Sequence, residues 1–243
     1  MPVPNASARL RVSLRLLASS LYAIFLNMIS NSWEWKKLLY KNYQTIAKYI
    51  NNIDSNSTNY SKFEIALFTS AFIIRKLSES NKFPPAILNK EINILEIKKK
   101  NDIHIDFIND HRFTKLYEEK LNKKIINLGY LINQLIHSFS FYLILNRKGQ
   151  LNYIFINSDF SKKKSAYLIK LSVLLELILF ISEGSMNQAT YKRVNKYDRK
   201  GTIIESNVMN LSSGTYELPN KLDLKKIIQD TFAGKIYKRK KDE

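Results

Sequence analysis

The segment FEIALFTSAFIIRKLSES, from Phe63 to Ser80, most constrains the fold, because it is apolar on most sides. Ser61 with Glu64 three residues later forms a capping-box pattern, which predicts a helix that runs from Ser61 to about Ser80. A helix without a broad polar face must be buried, so we expect this one to be the central core helix. Arg75 lies inside the run, where its charge needs a partner or must reach solvent.

The stretch SDFSKKKSAYLIKLSVLLELILFISEG predicts a loop and a second apolar helix that ends at Gly184. Lys170 and Glu176 interrupt the run, so we predict a core helix and not a membrane span. Helical periodicity or propensity also predicts helices over residues 35–50, 111–121, 124–138 and 222–232. The chain has only six glycines and five prolines, which favours helices over a turn-rich β-sandwich.

Two stretches predict β-hairpins. In INILEIKKKNDIHIDFI, two short strands flank a basic turn, while FYLILN and LNYIFIN flank a turn at residues 147–150 in which Gly149 supplies a positive φ. Together with the helices, these hairpins predict an α+β chain that is mainly helical: a helical bundle with one or two β-hairpins.

Composition divides the chain into three predicted parts. Residues 1–27 contain arginine and serine but no acidic residue, as transit peptides do. A signal peptide or short anchor is an alternative, and so is a translation start at Met28, which we favour because an amphipathic helix follows directly. We predict one helical domain over residues 28–184. Residues 185–243 are polar and basic and predict a loosely attached appendage.

Several functional classes can be set aside. The absence of cysteine excludes disulfides, thiolate metal sites and a cysteine nucleophile, and it fits a cytoplasmic protein. The phosphate-binding, dinucleotide-binding, serine-hydrolase and HExxH motifs are also missing. The segment HIDFINDH holds His104, Asp106, Asp110 and His111, but we interpret it as a solvated strand before a helix with Asp110 as N-cap. We therefore predict no metal and no cofactor.

A net charge of +18 with a pI near 9.8 predicts attraction to polyanions such as RNA, DNA or anionic lipid. The alternative is a lysine-rich composition without functional meaning. The C-terminal segment KIYKRKKDE is a basic tail, and its predicted nucleic-acid-binding residues are Lys235, Lys238, Arg239, Lys240 and Lys241. Membrane contact through residues 1–27 and the basic surface stays open.

One polar pair stands out in LINQLIHSF: Asn133 and His137 are four residues apart, so a helix places them on one face. Two interpretations are open. The pair can be a buried hydrogen-bonding unit that orients the helix against the hairpin or against Arg75, or it can belong to a site that contacts RNA.

This segment resembles the RNase motif of HEPN proteins, which are helical-bundle domains of toxins, CRISPR effectors and phage-defence systems. Asn133, His137 and Phe139 match the Asn, His and Tyr positions of that motif, but Ile132 occupies the Arg position and supplies no charge. The segments FEIALFTSAFIIRKL and NQLIHSF are also similar to a group of small bacterial proteins. These resemblances imply a HEPN-like helical domain over residues 33–183 in a phage-defence or mobile-element system.

We therefore expect a non-catalytic module that binds RNA, a partner protein or a second copy of the chain. A membrane-associated basic protein is the first alternative. A metal-independent ribonuclease is the second, with His137, Asn133 and Arg75 as its catalytic candidates, because Arg75 would then replace the missing motif arginine.

Overall fold

A computed structural model describes residues 31–50, 57–100, 104–106, 112–147, 149–198, 200–219 and 222–239. The helices are α1 (Ser32–Ile50), α2 (Ser57–Glu79), α3 (Ala86–Asn89), α4 (Phe113–Leu116), α5 (Leu128–Ile136), α6 (Leu171–Glu183) and α7 (Leu224–Phe232), with a 3-10 turn at Ser161–Lys163. The strands are β1 (Glu91–Lys99), β2 (Tyr117–Asn127), β3 (Ser138–Leu145), β4 (Leu151–Ser158), β5 (Ser165–Lys170), β6 (Ser185–Tyr197) and β7 (Ile203–Glu217).

A five-stranded antiparallel sheet in the order β2-β1-β5-β4-β3 forms the centre of the fold. Helix α5 connects β2 at one edge to β3 at the other. Helices α1, α2, α5, α6 and α7 bury their apolar faces in one large core that includes Ile94, Ile154 and Ile169 of the sheet. A smaller cluster of buried side chains comprises Ile105, Leu116, Tyr117, Phe155 and Ala166.

The predicted mainly helical bundle with one or two hairpins is wrong. Among the described residues, 44% are helical and 36% lie in strands, so the sheet is as much a part of the architecture as the helices. Strand β2 replaces parts of the helices predicted at 111–121 and 124–138. Its long run of exposed charged residues belongs to an edge strand, which has no strict polar and apolar alternation to reveal it.

Strand β5 was missed for the opposite reason. Its central position buries Ala166, Tyr167 and Ile169, so its sequence forms a continuous apolar run that merges with the apolar helix α6. The helices predicted at 35–50 and near 222–232 are confirmed by α1 and α7, and the apolar helix up to about Ser80 is confirmed by α2. Its predicted start is wrong, because α2 begins at Ser57 and Ser61 lies inside it. The hairpin at 141–157 is confirmed by β3 and β4, with Gly149 at φ +75°.

A buried polar network ties β3 to β4 and to β2. Asn157 is fully buried; its Oδ1 accepts a hydrogen bond from the Ser140 N–H at 3.0 Å, and its Nδ2 donates to the Tyr117 hydroxyl at 2.6 Å. The Ser140 Oγ is also buried, but it has no hydrogen-bond partner among the described residues. Asn157 is therefore a buried polar group whose hydrogen bonds are made, whereas the Ser140 hydroxyl is a buried polar group without one among the described residues.

We expect substitutions at these two positions to change the free energy of unfolding differently. Asn157→Ala should lower the free energy of unfolding by about 1–3 kcal/mol, because it removes a partner from two buried groups. Ser140→Ala removes a hydroxyl that bonds to nothing described, so it should leave stability unchanged or raise it slightly. Urea unfolding followed by circular dichroism measures both variants. A larger destabilisation by Ser140→Ala than by Asn157→Ala would contradict this account of the network.

Among the described residues, strands β6 and β7 pair only with each other; they form a two-stranded ribbon, which we call the arm. Tyr216 anchors its base: the hydroxyl donates to the Ile181 carbonyl at 2.7 Å, and the ring packs against Phe83 and Phe180. Gly184 caps α6 as predicted, at φ −72°, and a Cβ there would collide with the Tyr216 ring. The close approach of this ring, and not a positive φ, requires glycine at position 184.

The chain after the arm returns to the body. Leu224 and Ile228 of α7 belong to the large core, and the Thr231 hydroxyl lies 2.7 Å from that of Tyr43 on α1. The boundaries at residues 27 and 184 stay predictions, and residues 1–27 lie outside the described ranges. Residues 185–243 therefore contain two distinct parts, the exposed arm and helix α7, which packs against the large core.

Candidate functional site

Helix α2 carries a stripe of side chains that faces the start of β3 and the end of α5. Glu64, Phe68, Phe72, Arg75 and Glu79 are spaced by four, four, three and four residues, so the helix aligns them along one side. Phe72 is 43% exposed, which is unusual for a large aromatic side chain on a helix that is otherwise a core element. The stripe therefore forms one wall of a surface feature.

That feature is a groove with a volume of about 630 Å³, which we call the aromatic groove. It is lined by Glu64, Phe68, Phe72, Ile136, Ser138, Phe139, Phe141 and Tyr142. The Phe68 and Phe141 rings lie 5.0 Å apart, and the Tyr60 hydroxyl donates to the Phe141 carbonyl at 3.3 Å. These contacts fix the α2 wall to β3, the edge strand, so the groove is formed before any ligand arrives.

Two lysines place positive charge over rings of the aromatic groove. Lys162 Nζ lies 3.2 Å from the centre of the Phe139 ring, and Lys76 Nζ lies 5.8 Å from the centre of the Phe72 ring. Each ammonium group is also paired with a carboxylate, Lys162 with Asp159 and Lys76 with Glu79. Neither lysine was predicted as a site residue, and no sequence pattern links them to the rings.

Arg75, Asn133 and His137 meet at one end of the groove, and we call them the polar cluster. Arg75 Nη1 donates to Asn133 Oδ1 at 3.3 Å and lies 3.4 Å from His137 Nε2. Because a guanidinium can only donate, His137 Nε2 accepts, and the ring proton then belongs on Nδ1. The structure thus brings together the three residues predicted as catalytic candidates, although Arg75 is 58 residues away from Asn133.

The cluster lies at the surface. Asn133 and His137 are both exposed, so the pair is not the buried hydrogen-bonding unit that one interpretation required. His137 caps the C-terminus of α5 and stands between Ile136 and Ser138, which both line the groove. Helix α5 is also held by buried Gln134, whose Oε1 accepts from the Ser161 hydroxyl at 2.9 Å. This inner bond fixes the helix that presents the cluster.

Glu79 completes the electrostatics of the cluster. Its carboxylate accepts hydrogen bonds from Arg75 Nε at 2.8 Å and Lys76 Nζ at 2.7 Å. Burial alone would raise the pKa of Glu79, but the hydrogen bonds and charges of Lys76 and Arg75 outweigh it and lower the pKa. Glu79 is therefore an anion that orients Arg75. Arg75 Nη2 has no partner among the described residues, and 39% of the side chain is exposed.

The predicted nucleic-acid-binding residues of the tail have different environments. Lys235 is exposed and lies 3.4 Å from Asp230, and Lys238 is also exposed. Arg239, in contrast, pairs with Glu183 at 2.7 Å, with only 13% and 8% of the two side chains exposed. Lys240 and Lys241 lie outside the described residues.

No group of three or more metal-ligating side chains comes together in the described ranges. His104 and Asp106 lie in an irregular segment where a strand was predicted, while Asp110 and His111 lie outside the described residues. Within the part of the chain that the structure describes, no helix is long and apolar enough to cross a membrane.

No protein-family model matches this sequence, and comparisons with curated proteins and with solved structures give no match either. The predicted HEPN-like character is therefore wrong: the chain carries a five-stranded sheet, whereas HEPN domains are helical. The motif-like spacing has a simpler origin, since Asn133 and His137 occupy the last turn and the cap of a nine-residue helix that leads into an edge strand.

Proposed function

We propose that this protein binds single-stranded RNA in the aromatic groove without cutting it. One observation carries the proposal: the exposed Phe72 ring, two lysines over rings of the groove, and an arginine whose Nη2 has no partner among the described residues occur together along the aromatic groove and the polar cluster. Proteins that bind single strands combine stacking platforms for the bases with positive charge for the backbone. The net charge of +18 adds a general attraction for polyanions.

The roles follow from the geometry. Phe72, the exposed ring, is positioned to stack with a base, while Phe68 and Phe141 support the wall behind it. Arg75, held by Glu79, can donate its free Nη2 to a phosphate oxygen. Asn133 and His137 are close enough to Arg75 to contact the same nucleotide. We assign this binding to the cytoplasm, an expectation that rests on the lack of cysteine.

Binding without cleavage is favoured by the chemistry of the cluster. Attack by a ribose 2′-hydroxyl needs one group to accept its proton and another to protonate the leaving oxygen. His137 can serve in one of these roles. Glu79 is a poor choice for the other, because the pKa of its carboxyl is lowered by Arg75 and Lys76.

Phe72→Ala tests the proposal in the full-length chain. Stacking contributes about 1–3 kcal/mol for each base, so the variant should bind a fluorescent single-stranded RNA roughly 5- to 150-fold more weakly. Fluorescence anisotropy gives the Kd. The matched control is Leu121→Ala, which removes an exposed apolar side chain from β2 at the opposite edge of the sheet. Equal affinities for the two variants, or no binding of RNA by the parent chain, would overturn the proposal.

A metal-independent ribonuclease is the second candidate, and a specific observation favours it: Arg75 Nη1 lies 3.4 Å from His137 Nε2, so a phosphate-binding cation and an imidazole are adjacent. Incubation of labelled RNA in the presence of a chelator separates the two candidates. Intact RNA supports the binding function. Cleavage that His137→Ala abolishes would establish the ribonuclease in its place.

A further inference from the structure

The arm is a second surface that the proposed function does not use. Strand β6 alone has 13 residues, which corresponds to a ribbon of roughly 40 Å. Large apolar side chains in its outer part are exposed: Tyr191, Val194, Tyr197, Ile203, Ile204 and Met209. A two-stranded ribbon is at best marginally stable in water, and exposed apolar residues this dense indicate an interaction site.

The charges of the arm indicate the kind of partner. Residues 192–200 contain five basic side chains and one acidic one, Asp198. Lys192, Arg193 and Lys200 are exposed. Lys192 pairs across the ribbon with Asn210, and Arg193 pairs with Met209, so neighbouring cations project from opposite faces. Positive charge on both faces suits a partner that surrounds the ribbon with negative charge on two sides.

We propose that the arm enters the major groove of double-stranded DNA. That groove is about 12 Å wide and admits a two-stranded β-ribbon, and its two walls are lined with phosphates. One face of the ribbon would turn toward the base edges, where Arg193 and Met209 would contact bases and thymine methyl groups, and Lys192 on the other face would reach phosphates at the rim of the groove. The major groove of duplex RNA is too narrow for side chains to read, which makes DNA the partner of choice.

Other occupants fit less well. A second copy of this chain would bring another +18 charge against the basic end of the arm. A membrane surface requires apolar side chains on one side and charged ones on the other. Here Arg193 shares a face with Met209, and Lys192 shares one with Val194, so apolar and basic side chains are mixed on each face.

The test is a salt titration of DNA binding with the full chain and a duplex of about two helical turns. The triple variant Lys192→Gln, Arg193→Gln, Lys200→Gln should bind at least about tenfold more weakly, and the slope of log K against log salt should fall by about 0.9 for each phosphate that the variant no longer neutralises. Lys192→Gln alone should lower the slope by about 0.9 and serves if the triple variant does not fold.

A matched triple variant, Lys41→Gln, Lys120→Gln, Lys225→Gln, removes the same charge from exposed positions on α1, β2 and α7. It should retain the slope of the parent chain. An equal decrease of affinity in both triple variants, no binding of duplex DNA at low salt, or equally tight binding of duplex RNA would overturn the arm proposal. Phe72→Ala should bind duplex DNA normally, and the arm variant should bind single-stranded RNA normally, so the arm and the aromatic groove can fail independently.

Discussion

Replacing Arg239 by alanine should lower the free energy of unfolding by about 3 kcal/mol. The guanidinium pairs with Glu183 at 2.7 Å, donates from Nη2 to the Ser182 carbonyl at 3.1 Å and lies 4.2 Å from the centre of the Tyr40 ring. Removal of one partner from a buried ion pair leaves the other charge buried and uncompensated, which costs about 3–5 kcal/mol in general.

The low end of that range applies because Lys36 lies close to the pair. Burial lowers the pKa of Lys36, the charge of Arg239 lowers it further, and the charge of Glu183 raises it. Without Arg239, the Lys36 ammonium loses a repulsive neighbour and keeps an attractive one, so it partly compensates the Glu183 carboxylate. Chemical denaturation gives the free energy, and Lys238→Ala, at an exposed neighbouring position, should change it by less than about 0.5 kcal/mol.

The same pair of variants separates two roles for the basic tail. Arg239 contacts nucleic acid in the prediction from sequence, whereas its ion pair with Glu183 favours a structural role. If Arg239→Ala leaves stability unchanged and flattens the salt dependence of RNA binding, the guanidinium contacts phosphate and the buried pair does not stabilise the fold.

The periodicity of apolar residues was sufficient to predict an element when that element shows a regular pattern of its own. Helices α1 and α2 repeat apolar residues at helical spacing, and the β3–β4 hairpin has Gly149 between two apolar runs. Periodicity failed to predict strands whose burial is decided by the elements packed around them. β2 is an edge strand with little to bury, β5 is buried on both faces, and the outer part of the arm leaves its apolar side chains exposed, so burial imposes no alternation there.

The candidate site was predictable in part. A charge inside an apolar helix needs a partner, and this rule singled out Arg75; the spacing of four residues singled out Asn133 and His137. Their meeting depends on the packing of α2 against α5, which no local pattern encodes. The rings of Phe72 and Phe139 could not be distinguished from core residues, because an exposed aromatic side chain and a buried one have the same sequence signature.

Helix α6 contains the position where we expect the second large effect on stability. A substitution there tests how the sheet and the helices pack together. It packs against α1, α2, α7, β4 and β5; its buried residues cover a little more than half of its circumference, and its other residues are half-buried. Such a helix links the sheet to α1, α2 and α7. None of its residues is exposed, so its apolar run reflects burial within one protein core, as the interrupting charges at Lys170 and Glu176 suggested.

Leu175→Ala should lower the free energy of unfolding by about 2–5 kcal/mol, because Leu175 is fully buried and its neighbours are fixed by several elements that cannot all collapse into the cavity. At this chain length the melting temperature should fall by roughly 2–4 °C for each kcal/mol, as differential scanning calorimetry would show. Ile125→Ala, which truncates an exposed side chain on β2, should change stability by less than about 0.5 kcal/mol. A small effect at Leu175 would mean that α6 can shift to refill the space, which is incompatible with a helix fixed between the sheet and three other helices.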